Sequence, residues 1–191
     1  PWGTALHLLE DIYNFEDALL VGLMLITMIR NADRVKIGCL AQLVNVIAPI
    51  MTREKGGAWA QTIFYPMMDA SMYGRGKSLR PIITCEKHDT KHFNDLPVMD
   101  AAATMDDEGN VTIFAVNRDL QEPVALELDM RAFGGMPPVF HSVLHHDDMK
   151  AINSEENPDE VKPVQVPVQI EDGKLILPAA SWNVIRFAPA K

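Results

Sequence analysis

Two cysteines, Cys39 and Cys85, are all that a chain of 191 residues carries, and two thiols cannot build the disulfide framework of a small secreted scaffold. Cationic side chains are also scarce: 17 Lys and Arg stand against 26 Asp and Glu, a formal net charge of -9. Such a surface repels phosphates, which argues against a nucleic-acid or anionic-membrane partner. Long apolar runs are missing too. ALLVGLMLITMI, from Ala18 to Ile29, falls short of the roughly 20 residues that span a bilayer and is flanked by acids, so no membrane span is expected. The chain starts at Pro1, not Met, and PWGTALHLLEDIYNFED has neither a basic leader nor a small-residue cleavage site, so the start reads as a cut within a longer protein. Internal repeats, low-complexity tracts, H-E-x-x-H and Walker patterns are all absent.

What is present is an apolar content of 48%, enough for one domain or two small ones. The chain changes character near residue 80. In the first part Leu8, Leu9, Ile12, Phe15, Leu19, Leu20 and Leu23 recur at three- and four-residue steps, which predicts a helix with one apolar face. Glu10 and Asp11 are placed in its early turns, where acids suit the helix dipole, and its end is placed near Arg30-Asn31. VKIGCLA, Val35 to Ala41, reads as a parallel strand covered on both faces, with Cys39 as a small buried side chain. Pro49 and the Gly56-Gly57 break follow, and TIFYPMMDASMYGRG restarts a helix that ends at Gly74-Arg75-Gly76. This is an α/β unit with one convincing strand, and a single parallel strand cannot make a sheet.

From about Ser78 the chain reads as all-β. PVMDAAATMDDEGNVTIFAVNRD predicts two strands joined by a turn at Asp107-Glu108-Gly109-Asn110. PVALELDM, PVFHSVLH, VQVPVQIEDGKLILP and SWNVIRF add more, with Val124, Leu126, Leu128 and Met130 on one face. Short strands at this spacing predict a sandwich or jelly roll, and NSEENPDEVKP a long surface loop.

Four stretches invite chemistry. HSVLHHDDM (His141, His145, His146, Asp147, Asp148) has metal-ligand residues but no second cluster at metal spacing, and a polar turn after a strand is the simpler reading. YGRG lacks the phosphate-loop pattern and reads as a helix C-cap. The acid pairs Glu10-Asp11 and Glu16-Asp17 belong more simply to a solvated helix face than to acid–base catalysis. Gln42 and Asn45 differ, because they fall just where the apolar run Val35–Ala41 ends. The C-terminal end of a barrel strand faces the active site. A glutamine there offers a donor and an acceptor to neighbouring sugar hydroxyls. The other reading is that Gln42 satisfies loop backbone groups, and the pattern alone leaves the two open.

NADRVKIGCLAQLVNVIAPIMT, GGAWAQTIFYPMMDASMYGRG, LLEDIYNFEDALLVG, LHHDDMKAINSEENPD and SWNVIRF closely resemble the C-terminal portion of α-L-arabinofuranosidases of glycoside hydrolase family 51. The likeness runs over nearly the whole chain in matching order. It implies a fold that is α/β plus all-β: the last part of a (β/α)8 TIM barrel over 1–78, then a jelly-roll-like β-sandwich over 79–191. Residues 5 to about 30 then resemble barrel helix seven, Val35–Ala41 strand eight, and 58–73 helix eight. It implies a retaining, exo-acting enzyme that releases terminal arabinofuranose from arabinan and arabinoxylan fragments without a cofactor. A cytoplasmic location and hexameric assembly are expected with it. Gln42 matches the family's glutamine that hydrogen-bonds the arabinose in the cleavage subsite, and Trp59 is expected at the mouth of the site. The two catalytic glutamates match strands before Pro1, so no catalytic residue is expected in this chain and the chain alone should be inactive. The other function class weighed is a carbohydrate-binding or purely structural sandwich. Carbohydrate binding would need exposed aromatics, and the sandwich offers few, among them Phe114, Phe133, Phe140, Trp182 and Phe187; Trp182 and Phe187 read as core.

Overall fold

The computed structural model describes residues 10–53, 55–168, 170–171 and 174–189. Two helices cover one face of an antiparallel sheet, and a smaller sheet covers the other. The elements, in chain order, are α1 (Phe15–Arg30), β1 (Ile50–Thr52), β2 (Ala58–Ala60), α2 (Phe64–Tyr73), β3 (Lys77–Leu79), β4 (Lys87–His88), β5 (Leu96–Pro97), β6 (Met99–Met105), β7 (Val111–Asn117), β8 (Val124–Glu127), β9 (Pro138–His145), β10 (Val164–Gln165), β11 (Ile170–Glu171), β12 (Lys174–Leu177) and β13 (Ser181–Phe187).

Helix α1 begins where Asn14 caps it. The Asn14 side chain accepts from Asp17 N–H at 3.2 Å, and the Asp17 carboxylate accepts from Asn14 N–H at 2.8 Å. This reciprocal pair satisfies two backbone donors that a helix start otherwise strands. The start therefore falls later than the apolar periodicity predicted. Glu10 and Asp11 precede the helix, while Glu16 and Asp17 form its first turn; Leu8 and Leu9 lie outside the described residues. Its end at Arg30 agrees with the sequence. The second helix begins at Phe64, not near 58, because Ala58–Ala60 pairs with Ile50–Thr52 as a hairpin.

The large sheet has the order β10-β9-β13-β7-β6-β3 and faces β11-β12-β8. Strict alternation along its central strands divides the side chains into two cores. Phe114, Val116, Leu144, Trp182 and Val184 face the helices. Val111, Ile113, Ala115, Ile185 and Phe187 face Leu175 and Leu177 of the small sheet. This is the sandwich the sequence predicted, and the turn between β6 and β7 falls where expected, with Asp106 Oδ1 accepting from Glu108 N–H and Asn110 N–H.

Two expectations fail. Val35–Ala41 forms no ladder: among the described residues no strand pairs with it. Nor is it buried, since Ile37 is 81% exposed and Cys39 is exposed. A parallel strand exists only between neighbours that complete its hydrogen bonds.

Trp182 joins the layers. It is 1% exposed, stacks on Phe114 with centroids 5.7 Å apart, and donates from Nε1 to Asp69 Oδ2 of α2 at 2.9 Å. Gly22 of α1 lies flat against its ring: a Cβ there would sit 2.6 Å from Trp182 Cε3. At the other end of α1, Arg30 makes a forked pair with Asp100 of β6 at 2.5 and 3.1 Å. Burial pushes the Asp69 carboxyl up to about 6, against the pull of the Trp182 hydrogen bond.

Two predictions follow from this joint. Gly22→Ala gains up to about 1 kcal/mol of helix propensity but overpacks the ring, which typically costs about 1–3 kcal/mol. Its melting temperature should therefore fall by up to about 8 °C, and a rise would show that the ring yields freely and leaves the propensity gain unopposed. The folded Asp69 carboxyl titrates near 6 and its ordinary value is 3.8, so the folded state binds the proton more tightly. Stability contributed by that proton is complete below the ordinary value and lost as pH rises to the folded value. Asp69→Asn keeps an oxygen for Trp182 but removes the charge. Chemical denaturation across this window should show a flatter pH profile and stability at pH 7 at least equal to that of the unsubstituted protein; an unaltered slope would contradict the assignment.

Candidate functional site

The apolar segment from Val35 runs out at Gln42, and the backbone there leaves ordinary conformations. Gln42, Asn45 and Val46 have φ of 60, 61 and 58°. None is glycine, and the left-handed region costs an L-residue roughly 1–2 kcal/mol. Three such residues close together mark a backbone held away from its ordinary minima.

The two amides divide the work. Asn45 is structural: its Oδ1 accepts from Thr52 N–H at 2.8 Å, its Nδ2 donates to Thr52 Oγ1 at 2.9 Å, and its own N–H donates to Ile50 O at 2.8 Å. It pins the loop to β1. Gln42 is exposed, and among the described residues its side-chain amide makes no hydrogen bond. Satisfying loop backbone falls instead to Gln61, which is 2% exposed. Gln61 Oε1 accepts from Tyr13 N–H at 3.1 Å, and Nε2 donates to Ala48 O at 2.9 Å and Asp11 O at 3.2 Å. Gln61 was not among the residues expected at the site. Its signal was an amide inside the apolar run AWAQTIFYP.

Asn153 holds the other side. Buried, it donates to Ala60 O at 3.0 Å and Val161 O at 2.9 Å, and accepts from Val161 N–H at 2.8 Å. Phe15 N–H donates to Ala151 O at 2.9 Å. The sandwich segment 149–161 is thus fastened to the N-terminal end of α1 and to β2. Between the β1–β2 hairpin and residues 152–156 lies an open cleft of about 770 Å³. Half-buried Trp59 lines it, as does Arg53, whose Nη2 donates to Glu155 O at 2.9 Å. The Arg53 Nε lies 3.4 Å from Glu155 Oε1 but is buried without a hydrogen-bond partner. Gln42 does not line this cleft, so Gln42 and Trp59 do not share one pocket.

The remaining candidates resolve as structural parts. His141 is buried, with Nε2 3.0 Å from Asn183 Oδ1, and burial pushes its pKa down. His146 Nε2 lies 3.3 Å from Glu160 Oε1, and His145 packs edge-on against Phe15. Among the described residues no group of three or more His, Cys, Asp or Glu is placed to hold a metal ion. Gly74 caps α2 through Gly74 N–H to Ala70 O at 2.9 Å, and Gly76, at φ +85°, packs against Met105 O too closely for a Cβ. Glu16 pairs with Lys150 across the helix–sandwich junction.

Residues 2–181 match the family described as the alpha-L-arabinofuranosidase C-terminal domain. The intracellular exo-alpha-(1->5)-L-arabinofuranosidase of Halalkalibacterium halodurans is 54% identical over 191 residues, 98% of this chain and 38% of its own length. Intracellular exo-alpha-(1->5)-L-arabinofuranosidase 1 of Bacillus subtilis is 50% identical, again over 98% of this chain and 38% of its own. The chain thus spans well under half the length of these relatives. Among solved structures, a family 51 alpha-L-arabinofuranosidase from Bifidobacterium longum superposes with a TM-score of 0.88 at 38% identity, over 96% of this chain and 36% of that one. An alpha-L-arabinofuranosidase from Thermotoga maritima shares the fold with a TM-score of 0.78 at 20% identity, over 93% of this chain and 39% of that one.

The two glutamines should separate in a thermal melt. Gln61→Leu strands buried backbone groups at about 1–3 kcal/mol each and should lower the melting temperature clearly. Gln42→Ala removes no contact and should stay within about 0.5 kcal/mol of the parent sequence. Equal losses would contradict this division of roles.

Proposed function

Because the chain belongs to the alpha-L-arabinofuranosidase C-terminal domain family, we propose that it is the C-terminal part of a retaining, exo-acting arabinofuranosidase acting on arabinan, arabinoxylan and their oligosaccharides. Residues 1–78 supply the end of a (β/α)8 barrel (helix seven, strand eight, helix eight), and 79–191 the sandwich that braces it. Gln42 hydrogen-bonds the arabinose ring at the end of strand eight, with its amide giving and accepting at neighbouring hydroxyls. Trp59 stands at the mouth of the site. Retaining hydrolysis needs two carboxyl groups about 5–5.5 Å apart, one to protonate the leaving oxygen and one to attack the anomeric carbon. Both belong to barrel strands before Pro1. The protein works inside the cell, as its relatives' names state of them, and assembles as a homo-oligomer.

The observation that carries this reading is Gln42 itself: an exposed amide, free of protein partners among the described residues, at the end of an apolar segment that finds no strand beside it. A second observation supports the barrel. Leu20, Met24 and Met28 on α1, with Val35, Ile37, Leu43 and Val44, leave an exposed apolar face. Patches of that kind mark surfaces that another segment covers. The binding-module alternative finds less support: of the sandwich aromatics Phe114, Trp182 and Phe187 are buried in the cores, Phe133 and Phe140 are half-buried, and Phe93 is exposed.

Hydrolysis of p-nitrophenyl α-L-arabinofuranoside tests the reading. The full-length protein should be active and residues 1–191 alone inactive. Gln42→Ala in the full-length protein should lower kcat/KM by about 10- to 100-fold, the range for losing hydrogen bonds made to the reacting sugar. Hydrolysis by residues 1–191 alone would mean that two carboxylates of this chain do the chemistry.

A further inference from the structure

We infer that the cleft between the β1–β2 hairpin and residues 152–156 binds a neutral sugar unit of the substrate on the leaving-group side of the scissile bond, so that the sandwich forms one wall of the substrate site. The inference rests on the arabinofuranosidase reading above and adds to it a place and a chemistry for the part of the substrate that is not cleaved off.

Position comes first. In a (β/α)8 barrel the active site lies at the C-terminal ends of the strands, which is the side where the following helices begin. The cleft lies on that side. Ile152, on one wall, pairs with Asn14, the cap of α1. Gln61, in the cleft lining, accepts the Phe64 N–H that starts α2. An exo-acting enzyme holds one terminal sugar at the point of cleavage, and every other unit must leave in the leaving-group direction. Gln42, the residue assigned to the cleaved sugar, does not line the cleft. The cleft is therefore a separate place on the same side of the barrel.

Its chemistry suits an uncharged ring. Trp59 offers a flat apolar surface of the kind on which the apolar side of a sugar ring packs. Arg53 also lines the cleft, and the N–H groups of a guanidinium are donors that suit a ligand hydroxyl. The charges nearly cancel: Arg53 and Lys55 stand with Glu10, Glu155 and Glu156, and Arg53 already lies 3.4 Å from a Glu155 carboxylate oxygen. That balance disfavours a strongly charged ligand. A volume of about 770 Å³ lies within the range of small-molecule sites. The walls are also fixed in advance. Arg53 ties the hairpin to Glu155, and Asn153 ties the opposite segment to Ala60. A ligand entering such a cleft orders little that is not already ordered.

The test compares two substrates of the full-length protein: p-nitrophenyl α-L-arabinofuranoside, which has no sugar beyond the cleaved one, and a linear arabino-oligosaccharide of several units. Trp59→Ala should raise KM for the oligosaccharide about tenfold more than KM for the p-nitrophenyl substrate, with Trp59→Phe restoring most of the difference. Ile152→Trp fills the cleft from the sandwich wall without truncating anything, so it stays informative if Trp59→Ala folds poorly; it should discriminate against the oligosaccharide in the same way. Equal effects on both substrates, or none on either, in a protein that hydrolyses both would overturn the subsite and leave the arabinofuranosidase reading standing. A full-length protein that hydrolyses neither substrate would overturn that reading, and the subsite would fall with it.

Discussion

The packing of both helices on the sandwich depends on Trp182. It belongs to the last strand of the sandwich, yet its ring lies against Gly22 of α1, its indole N–H bonds Asp69 of α2, and Phe114 stacks beneath it. One side chain thus joins two helices and the central strands of the sheet into a common core. The joint is buried, which is why it holds and why it is sensitive. A buried aromatic contributes a large apolar area, and its N–H must find a partner once water is excluded. Asp69 is that partner. Its own burial raises its pKa to about 6, so near neutral pH the joint carries a charge it would be more stable without. Arg30, forked onto Asp100, and Arg186, over the Tyr73 ring at 4.8 Å, add charged contacts at the rim.

This joint explains why α1 has two apolar sides. Phe15, Ala18, Leu19, Gly22 and Ile26 are buried against the sandwich, while Leu20, Met24 and Met28 are not. A helix that is apolar nearly all round belongs between two layers. The sandwich supplies one of them. The other is the barrel proposed to precede the chain, whose strands would also lie beside Val35–Ala41. The sandwich does more than brace this junction. By fastening residues 149–161 to the start of α1, it brings Glu155 and Ile152 to the side where an active site would open.

The sandwich was legible because its signals are local. Period-two alternation and a turn around Gly109 fix strands wherever the partner strands lie in the same chain. The end of α1 and the Gly74 cap were legible for the same reason. The strand at Val35–Ala41 is neither paired nor buried among the described residues, because its pattern describes an environment that they do not contain. The hairpin at Ile50–Ala60 was missed because Gly56 and Gly57 read as a break when they turn one short strand onto another. Of the site, Gln42 stood out by its place at the end of an apolar run. Gln61 and Asn153 did not: an amide inside the apolar run AWAQTIFYP hints that Gln61 is buried, but its partners lie in distant segments that the run does not name. The cleft was invisible for a related reason: Arg53 and Glu155 meet across 102 positions.

Amide hydrogen exchange over residues 35–47 is the measurement that goes to the centre of this account. In residues 1–191 alone the amides of Lys36–Ala41 should exchange fast, since no ladder protects them. In the full-length protein the same amides should become strongly protected, as a strand flanked on both sides in a closed barrel requires. Equally fast exchange in both would contradict the claim that this segment is a barrel strand presenting Gln42 to the substrate.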